Sequence, residues 1–423
     1  MANYNKIVLP NGLRIITILN KEALATTFLV LVEAGSKYET KEINGLSHFL
    51  EHMCFKGTLK RPMAIDISTE LDSLGAQYNA FTSQEYTGYY AKVESHKLDK
   101  ALDIVTDLYM NPVFDVNEIE KEKGVIIEEL NMYEDLPMRK VSEVFMDLLY
   151  GNQPAGWDVG GKKEIIRILN REDFLKYRGQ HYLAKSTLIV VAGAFDEKDI
   201  ISKIEKGFGH IGDTEKGKKL AVVESQTKPA VKVKYKEVDQ THIILGCRAF
   251  SLRDSRRYIL DVLADVLGGG MSSRLFQKVR DELGAAYYVR AEADLFTDHG
   301  YLAVSSGVDH AKLEKVIETV LGEMKKLATD LVQPDELQKA KNHLIGKIIL
   351  GLESSDELAS FYGGQEILGE EIVIPQELIK KIESVKAEEI LTLAGEIFQD
   401  SKLNLALIGP LKDASKLENL LHF

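Results

Sequence analysis

The sequence is poor in cysteine, has no excess of basic charge and contains no long apolar run, and each shortage excludes a class of protein. Its 423 residues include two cysteines, Cys54 and Cys247, which are too far apart in sequence to suggest a disulfide framework. No stretch approaches the roughly 18–20 consecutive apolar residues of a membrane span. The N-terminus also lacks the basic and apolar regions of a secretory signal. We therefore expect a cytoplasmic protein that does not bind membranes.

The charge balance is acidic, because 53 lysines and arginines are outnumbered by 65 aspartates and glutamates, giving a net charge of -12. Such a balance argues against non-specific binding to nucleic acid, so no nucleic-acid partner is expected. Hydrophobic residues make up 45% and charged residues 28% of the chain, as in ordinary globular proteins. A chain of this length exceeds what one hydrophobic core usually serves, which indicates two or more domains.

The order of predicted elements repeats along the chain. The segment GYYAKVESHKLDKALDIV, which starts at Gly88, matches GYLAVSSGVDHAKLEKVIETV, which starts at Gly300, and each contains a strand, a turn and a helix. A polar, lysine-rich stretch at 213–228 has the composition of a linker. We predict an α+β fold built by internal duplication, in which each domain is a mostly antiparallel sheet covered by helices. The predicted limits are 1–212 for the first domain and 229–423 for the second.

Local signals predict the elements that carry the chemistry. A hairpin turn is indicated at Pro10-Asn11-Gly12. A helix is predicted from Asn44 to Lys56, with Asn44 near its start and Gly57 placed to end it. Alternating residues from Gln77 to Val93 predict a strand, and a further helix is predicted over Asn117–Glu134.

The first of these helices contains the run His48-Phe49-Leu50-Glu51-His52. Residues four apart share one face of a helix, so His48 and His52 can bind the same ion. Zinc accepts imidazole nitrogen, and a catalytic site has three protein ligands and one position for water. Glu51 lies on the same side and suits a base that takes a proton from that water.

A His-x-x-x-His pair on its own is often accidental, but apolar neighbours make this a core helix. Three ionisable side chains on one side of such a helix need a reason, since unpaired buried charge is unfavourable. A third ligand must come from elsewhere in the chain. The glutamate-rich helix 117–134 offers candidates, and its Glu122 and Glu129 are seven apart and share a face. Spacing does not choose between Glu128 and Glu129 as the ligand, and most of the glutamates there are expected to form a solvated face.

The runs SHFLEHMCFKGT and EKGVIIEELNMYED together resemble the inverted-zincin metallopeptidases of the pitrilysin family, and in particular its short two-domain members. The resemblance extends over nearly the whole chain. It implies one zinc ion per chain with His48, His52 and Glu129 as ligands. It further implies that Glu51 is the general base and Glu122 a supporting acid.

The same resemblance extends to the substrate side of the site. The run Asn79-Ala80-Phe81-Thr82 resembles the edge strand that pairs with an extended peptide substrate. The second half has no H-x-x-E-H motif, but Arg280 and Tyr287 resemble the Arg/Tyr pair that the family's C-terminal domain contributes to catalysis. Tyr288 is a rival for the tyrosine role, although the spacing of seven favours Tyr287. Cys54 and Cys247 are predicted to be packed core thiols.

The resemblance thus implies a zinc metalloendopeptidase that hydrolyses peptides or unfolded polypeptide segments. A two-domain chain is expected to form half of a chamber, and a chain with both the zinc motif and the Arg/Tyr pair is expected to form a homodimer. The alternative is a non-catalytic or regulatory subunit of a peptidase or of a respiratory-type complex, a role in which relatives typically lose the zinc motif. The sequence does not name the physiological substrate.

Overall fold

The computed structural model describes residues 4–423. The described part of the first half of the chain contains alternating groups of strands and helices. These elements are β1 (Tyr4–Val8), β2 (Arg14–Leu19), β3 (Ala25–Val32), α1 (Leu46–Cys54), α2 (Ala64–Ser73), β4 (Gln77–Thr82), β5 (Thr87–Glu94), α3 (Leu98–Met110), α4 (Val116–Glu134), α5 (Pro137–Tyr150), α6 (Lys163–Ile168), α7 (Arg171–His181), β6 (Thr187–Gly193) and α8 (Glu197–Phe208).

The second half repeats much of this order after an irregular stretch. Its elements are β7 (Ala230–Tyr235), β8 (Thr241–Arg248), α9 (Arg257–Gly268), a π-helical segment (Phe276–Glu282), β9 (Ala286–Leu295), β10 (Gly300–Val308), α10 (Leu313–Thr329), α11 (Pro334–Gly351), α12 (Ser355–Ile367), α13 (Pro375–Ser384), α14 (Ala387–Ile397), β11 (Leu403–Gly409) and α15 (Ser415–Glu418).

The first compact unit is built on a sheet with the strand order β1-β2-β6-β3-β5-β4. Only β2 and β6 run parallel, and every other neighbouring pair is antiparallel. The predicted hairpin at residues 10–12 joins β1 to β2, and Gly12 takes a φ of 90°, which favours glycine. Successive residues of β3 and β6 are buried, and each strand contains a continuous apolar run, because helices cover the sheet. The strand β4 lies at one edge, so one side of it has no strand partner among the described residues of the unit.

The second compact unit has the strand order β7-β11-β8-β10-β9, in which β7 and β11 run parallel. Without β1, the first sheet has the same strand order and the same single parallel pair, and β4 lies at its edge as β9 does in the second sheet. The prediction of an α+β fold with two similar, mostly antiparallel halves is therefore confirmed.

Each unit includes one helical segment from the opposite half of the chain. The first unit contains residues 1–130, 158–220 and 351–372, and the second contains 131–157, 221–350 and 373–423. The change from one unit to the other at Leu220–Ala221 falls inside the predicted linker 213–228. The predicted limits place α5 in the first domain and α12 in the second, because they divide the chain at one point. The compact units place α5 in the second and α12 in the first.

The two exchanged helices complete the cores of the units they join. In the first unit α12 packs on β3 and β6, where a Cβ at Gly363 would meet Leu31 Cδ1 at 2.8 Å and Val190 Cγ2 at 3.1 Å. Glu366 of the same helix accepts hydrogen bonds from Lys6 and Arg14. In the second unit α5 packs on β8 and β11 through one apolar cluster, which includes Val141, Phe145, Ile244, Ala406 and Ile408.

Among residues 4–423, no helix is both long and apolar enough to cross a bilayer. The cytoplasmic location stays a prediction from the sequence.

Candidate metal centre

The helix α1 is a core helix with one polar side. Leu46, Phe49, Leu50 and Met53 are fully or almost fully buried, as the apolar spacing predicts. The helix covers Leu46–Cys54 rather than the predicted Asn44–Lys56, and Asn44 does not cap it. Its side toward the edge strand carries the three residues of the motif, each of which keeps part of its surface exposed to solvent.

The helix α4 supplies the acidic partners. Asp115 Oδ1 accepts from the backbone N–H groups of residues 117 and 118, which satisfies two unpaired donors at the start of the helix. Ile119 and Ile126 are buried, and they anchor the face on which Glu122 also lies. The helix turns Glu129 toward the histidines of α1.

His48, His52 and Glu129 form a three-residue group whose ligand atoms all lie within 4.8 Å of one another. The Nε2 atom of His48 is 3.7 Å from Glu129 Oε2, and the Nε2 atom of His52 is 3.6 Å from the same oxygen. Two ligand atoms on a tetrahedral zinc ion, each about 2.0–2.1 Å from the metal, are about 3.3–3.4 Å apart. Both nitrogen–oxygen distances are therefore close to the separation of two ligand atoms on one zinc ion.

Glu122 orients one of the histidines. His52 Nδ1 donates to Glu122 Oε1 at 2.9 Å, and Lys56 Nζ lies 2.6 Å from Glu122 Oε2. Burial opposes ionisation of Glu122, but the hydrogen bonds from His52 and Lys56 hold its pKa below the ordinary value. An ionised carboxylate only accepts, so Nδ1 of His52 carries the proton and the lone pair of Nε2 is free for a metal.

Glu51 lies on α1 beside this group and contacts the edge strand. Its Oε2 accepts a hydrogen bond of 2.6 Å from Thr82 Oγ1. Burial raises the pKa of Glu51 and the nearby carboxylate of Glu129 adds to this, whereas Thr82 and His52 act in the opposite direction. The net shift is upward, which brings Glu51 closer to the range in which a carboxylate exchanges protons near neutral pH.

The stretch predicted as one strand, Gln77–Val93, is a hairpin of β4 and β5, because the chain turns back after Thr82. The predicted substrate residues lie in β4, which borders a cleft of about 210 Å³ that Glu51, His52 and Asn79 help to line. Ser83 N–H donates to Tyr86 O, and because ladder hydrogen bonds alternate along an antiparallel pair, the N–H of Ala80 points away from β5. That N–H donates to Asn79 Oδ1 at 2.9 Å.

The side chains of Phe81 and Thr82 both make contacts within the unit. The ring of Phe81 covers Gly88, where a Cβ would meet it at 2.3 Å. The hydroxyl of Thr82 is committed to Glu51, as described above.

Arg280 and Tyr287 belong to the second compact unit, on the π-helical segment and on β9. The Arg280 guanidinium lies 5.7 Å from the centroid of the Tyr287 ring. Tyr287 is 74% exposed, whereas the neighbouring Tyr288 is engaged with His242 Nδ1 at 3.1 Å. Burial raises the pKa of Tyr288 to about 12.

Two residues near the centre were missed by the sequence analysis. Lys56, which follows the end of α1, binds Glu122, and its place four residues after His52 at the end of the predicted helix was a signal for this contact. Glu39 accepts from the first backbone N–H groups of α1, and no local pattern indicates this role because the residue precedes the helix by seven positions. Cys54 and Cys247 are buried free thiols, as predicted.

Comparisons with known proteins agree with this geometry. Residues 14–161 match the family described as insulinase, peptidase family M16, and residues 169–344 match the family described as the peptidase M16 inactive domain. The chain is 36% identical over 400 residues to the uncharacterized zinc protease YmxG of Bacillus subtilis, with 95% of this chain and 97% of that protein covered.

A second relative, an uncharacterized zinc protease of Streptomyces coelicolor, is 32% identical over 427 residues, with 99% of this chain and 93% of that protein covered. The crystal structure of a protease from Helicobacter pylori has the same fold, with a TM-score of 0.89 at 22% identity. The match covers 97% of this chain and 100% of that one.

Proposed function

Because the chain belongs to the M16, or insulinase, family of peptidases, we propose that it is a zinc metalloendopeptidase acting on peptides or unfolded polypeptide segments. The observation that carries the proposal is the convergence of His48, His52 and Glu129 on one point. Two nitrogens and one carboxylate oxygen are a donor set that suits catalytic zinc, which keeps a further position open for water. When bound there, zinc would lower the pKa of water and polarise a peptide carbonyl.

The protein's own side chains would move the protons. Glu51 is the general base that takes a proton from the attacking water and later delivers it to the leaving amine. The hydroxyl of Thr82 donates to Glu51 Oε2 and so holds the carboxylate in one orientation. Glu122 fixes the tautomer of His52 in which Nε2 is a ligand.

The second half is proposed to contribute Arg280 and Tyr287. A tyrosine hydroxyl can donate a hydrogen bond to the oxyanion that forms during attack on the carbonyl, and an arginine can hold substrate backbone. Tyr287 is the better candidate of the two adjacent tyrosines, because its side chain is exposed while the hydroxyl of Tyr288 is engaged with His242.

We further propose one zinc ion per chain. The run NEIEKEKGVIIEEL of α4, residues 117–130, aligns without gaps with DELQKAKNHLIGKI of α11, residues 335–348. In that alignment Ala340 stands where Glu122 stands, and Lys347 stands where Glu129 stands. A lysine does not replace an anionic ligand, so the duplicated helix offers no second metal position. Native mass spectrometry that found two zinc ions per chain would contradict this.

The catalytic assignment is tested with Glu51→Gln. This change keeps the size and one acceptor oxygen but removes the base, so the variant is expected to retain zinc and to lose hydrolysis of a quenched-fluorescence peptide by a factor of about 10³ or more. The matched control is Glu128→Gln, an exposed glutamate on the neighbouring helix, which is expected to keep full activity. Full activity of the Glu51 variant would refute the role of this residue as base.

The proposed assembly is a homodimer that encloses two sites, as expected for a chain that carries both the zinc motif and the Arg/Tyr pair. Sedimentation velocity, with peptidase activity measured on the same fractions, tests it, and activity that migrates with a monomer contradicts it. The alternative function is that of a non-catalytic or regulatory subunit. Wild-type protein that carries stoichiometric zinc and cleaves no member of a peptide library would favour that alternative.

A further inference from the structure

The start of the metal-binding helix has an unusual cap. The residue before α1 is Gly45, which has a φ of 98° and no side chain that could accept from the first N–H groups of the helix. The first turn of any helix leaves backbone donors without intrahelical partners. Serine, threonine, asparagine and aspartate are preferred at this position because their side chains accept from these donors.

Here the acceptor is Glu39, which lies six residues before Gly45. Its Oε2 accepts from Gly45 N–H at 2.8 Å and from Asn44 Nδ2 at 3.1 Å, while its Oε1 accepts from Ser47 N–H at 2.6 Å. Both oxygens are thus used on the first turn of α1. The side chain is buried, with Glu39 only 3% exposed. A negative charge at this end of the helix is also favoured by the helix dipole.

The same turn is held from other sides as well. The Ser47 hydroxyl lies 2.7 Å from the hydroxyl of Tyr177, and Asn44 Nδ2 donates to Asp158 O at 3.0 Å. A Cβ on Gly161 would meet Asn44 O at 2.3 Å, so the loop after Asp158 approaches the helix start as closely as glycine allows. The turn therefore has little freedom to slide along the helix axis or to rotate about it.

This restraint matters because Ser47 directly precedes His48. Side chains project outward from the helix axis, so a small rotation of the first turn about that axis changes the direction in which His48 and His52 point. Their Nε2 atoms lie 3.7 and 3.6 Å from the same oxygen of Glu129. A metal site tolerates displacements of only about 0.5 Å before its affinity suffers.

The residue at position 45 cannot itself cap α1, because Gly45 has a φ of 98°. A side chain at that position would be strained and would meet Gly160 O at 2.7 Å and Gly161 Cα at 2.9 Å. The acceptor is therefore Glu39, although burial raises the pKa of this carboxyl to about 7 against the opposing effect of its hydrogen bonds. Glu39 lies seven residues before α1 and brings two acceptor oxygens to its first turn. Two oxygens fix two N–H groups at once, and thereby fix direction as well as satisfy donors.

We propose that Glu39 is a positioning residue of the metal centre. Its carboxylate holds the first turn of α1 and so sets the direction in which His48 and His52 present Nε2 to Glu129. This proposal rests on the proposed zinc peptidase function, since it assigns Glu39 a task toward the metal ligands.

The main test is Glu39→Gln, in which an amide replaces the carboxylate and places a donor against the N–H groups of the turn. Zinc affinity, measured by competition with a chromophoric chelator, is expected to fall about tenfold, as for other groups that orient metal ligands. Hydrogen exchange of the α1 amides in the metal-free protein is expected to become faster. In zinc-saturated protein kcat is expected to fall, with the KM for a peptide little changed.

Glu366→Gln is the matched control, because Glu366 is also a buried carboxylate of the first unit. It lies on α12, which has no proposed metal ligand, and forms ion pairs with Lys6 and Arg14. It is expected to lower the unfolding temperature and to leave zinc affinity and kcat unchanged. Asn44→Ala is a second, milder variant, which removes one donor to Glu39 and should weaken zinc binding about two- to threefold. It keeps the test decisive if the Glu39 variant does not fold.

The outcomes separate the two proposals. Wild-type protein without stoichiometric zinc would overturn the proposed function, and the role of Glu39 with it. Wild-type zinc affinity and kcat in both Glu39→Gln and Asn44→Ala, together with a lowered unfolding temperature, would reduce Glu39 to a stabilising cap and overturn only this inference.

Discussion

Two adjacent glutamates on α4 differ in what their side chains face. Glu129 approaches His48 and His52, whereas Glu128 is exposed one residue earlier. We expect Glu129→Gln to weaken zinc binding by more than about 100-fold, because it removes an anionic ligand. Glu128→Gln changes the same chemistry one position away and should have no effect. Chelator competition on the two purified variants checks this, and equal zinc affinities would contradict the ligand assignment.

Glu39 also makes a prediction about pH. Burial raises its pKa from 4.5 to about 7 in the folded protein, so the folded state holds the proton more tightly than the unfolded state does. The corresponding stability is complete below about pH 4.5 and is lost as the pH rises through 7. The change amounts to about 3 kcal/mol at most.

Urea unfolding of wild-type protein and Glu39→Gln at several pH values measures this contribution as a difference between the two curves. The free energy of unfolding of the wild type should fall more steeply between pH 5 and pH 8 than that of the variant. Curves that stay parallel across this range would show that the ionisation of Glu39 is not coupled to folding.

At the scale of single residues, helix periodicity predicted only part of the site, and the family resemblance supplied the choice of Glu129. The spacing of His48, Glu51 and His52 follows from helix periodicity, and the structure brings the two histidines together as expected. Spacing did not distinguish Glu129 from Glu128, since the choice depends on where α4 packs. The contact between Glu39 and α1 depends on the path of a loop, which has no periodic signature in the sequence.

The edge strand β4 is the element on which substrate recognition is proposed to depend. Ala80 belongs to a pair whose N–H points outward, so a proline at this position removes that donor without removing a ladder hydrogen bond to β5. We expect Ala80→Pro to raise the KM for extended peptides about three- to tenfold, since a hydrogen bond contributes about 0.5–1.5 kcal/mol. Zinc content should not change.

Ala80→Ser is the control for this strand, because serine keeps the backbone N–H and adds only a small side chain. Steady-state kinetics of both variants with the same peptide decide the matter. An unchanged KM in the proline variant would mean that this N–H does not bind substrate.

Element boundaries were predicted unevenly, for physical reasons. The long amphipathic helix α4 was placed to within one residue, because its apolar face repeats over several turns. The helix α1 starts two residues later than predicted, since Asn44 bonds to Glu39 and Asp158 instead of capping. The exchange of α5 and α12 was not predicted, because an amphipathic pattern shows that a helix is covered but not which sheet covers it.

At the scale of the whole molecule, the exchanged helices predict how the chain behaves when it is divided. Residues 1–228 alone lack α12, so the apolar faces of β3 and β6 that this helix covers would be exposed to water. They also contain α5 without the strands that cover Val141 and Phe145. We expect this half to aggregate when it is produced by itself, because its exposed apolar surface is large.

Production of residues 1–228 together with 229–423 in the same cells should instead give a soluble complex, since each half supplies the helix that the other lacks. Size-exclusion chromatography and zinc analysis of the two preparations compare these cases, with the intact chain as the control. A first half that is soluble, monomeric and cooperatively unfolding by itself would contradict the prediction.

The late position of α12 in the chain also has a consequence for synthesis. The last strand of the first sheet ends at Gly193, but the helix that covers this sheet ends at Ile367. A ribosome that adds about 5–20 residues per second needs roughly 10–35 s to make the intervening chain. During that interval the nascent sheet has an uncovered apolar face, to which a general chaperone could bind. The first unit, although most of it is translated early, is therefore expected to mature only after α12 has been made.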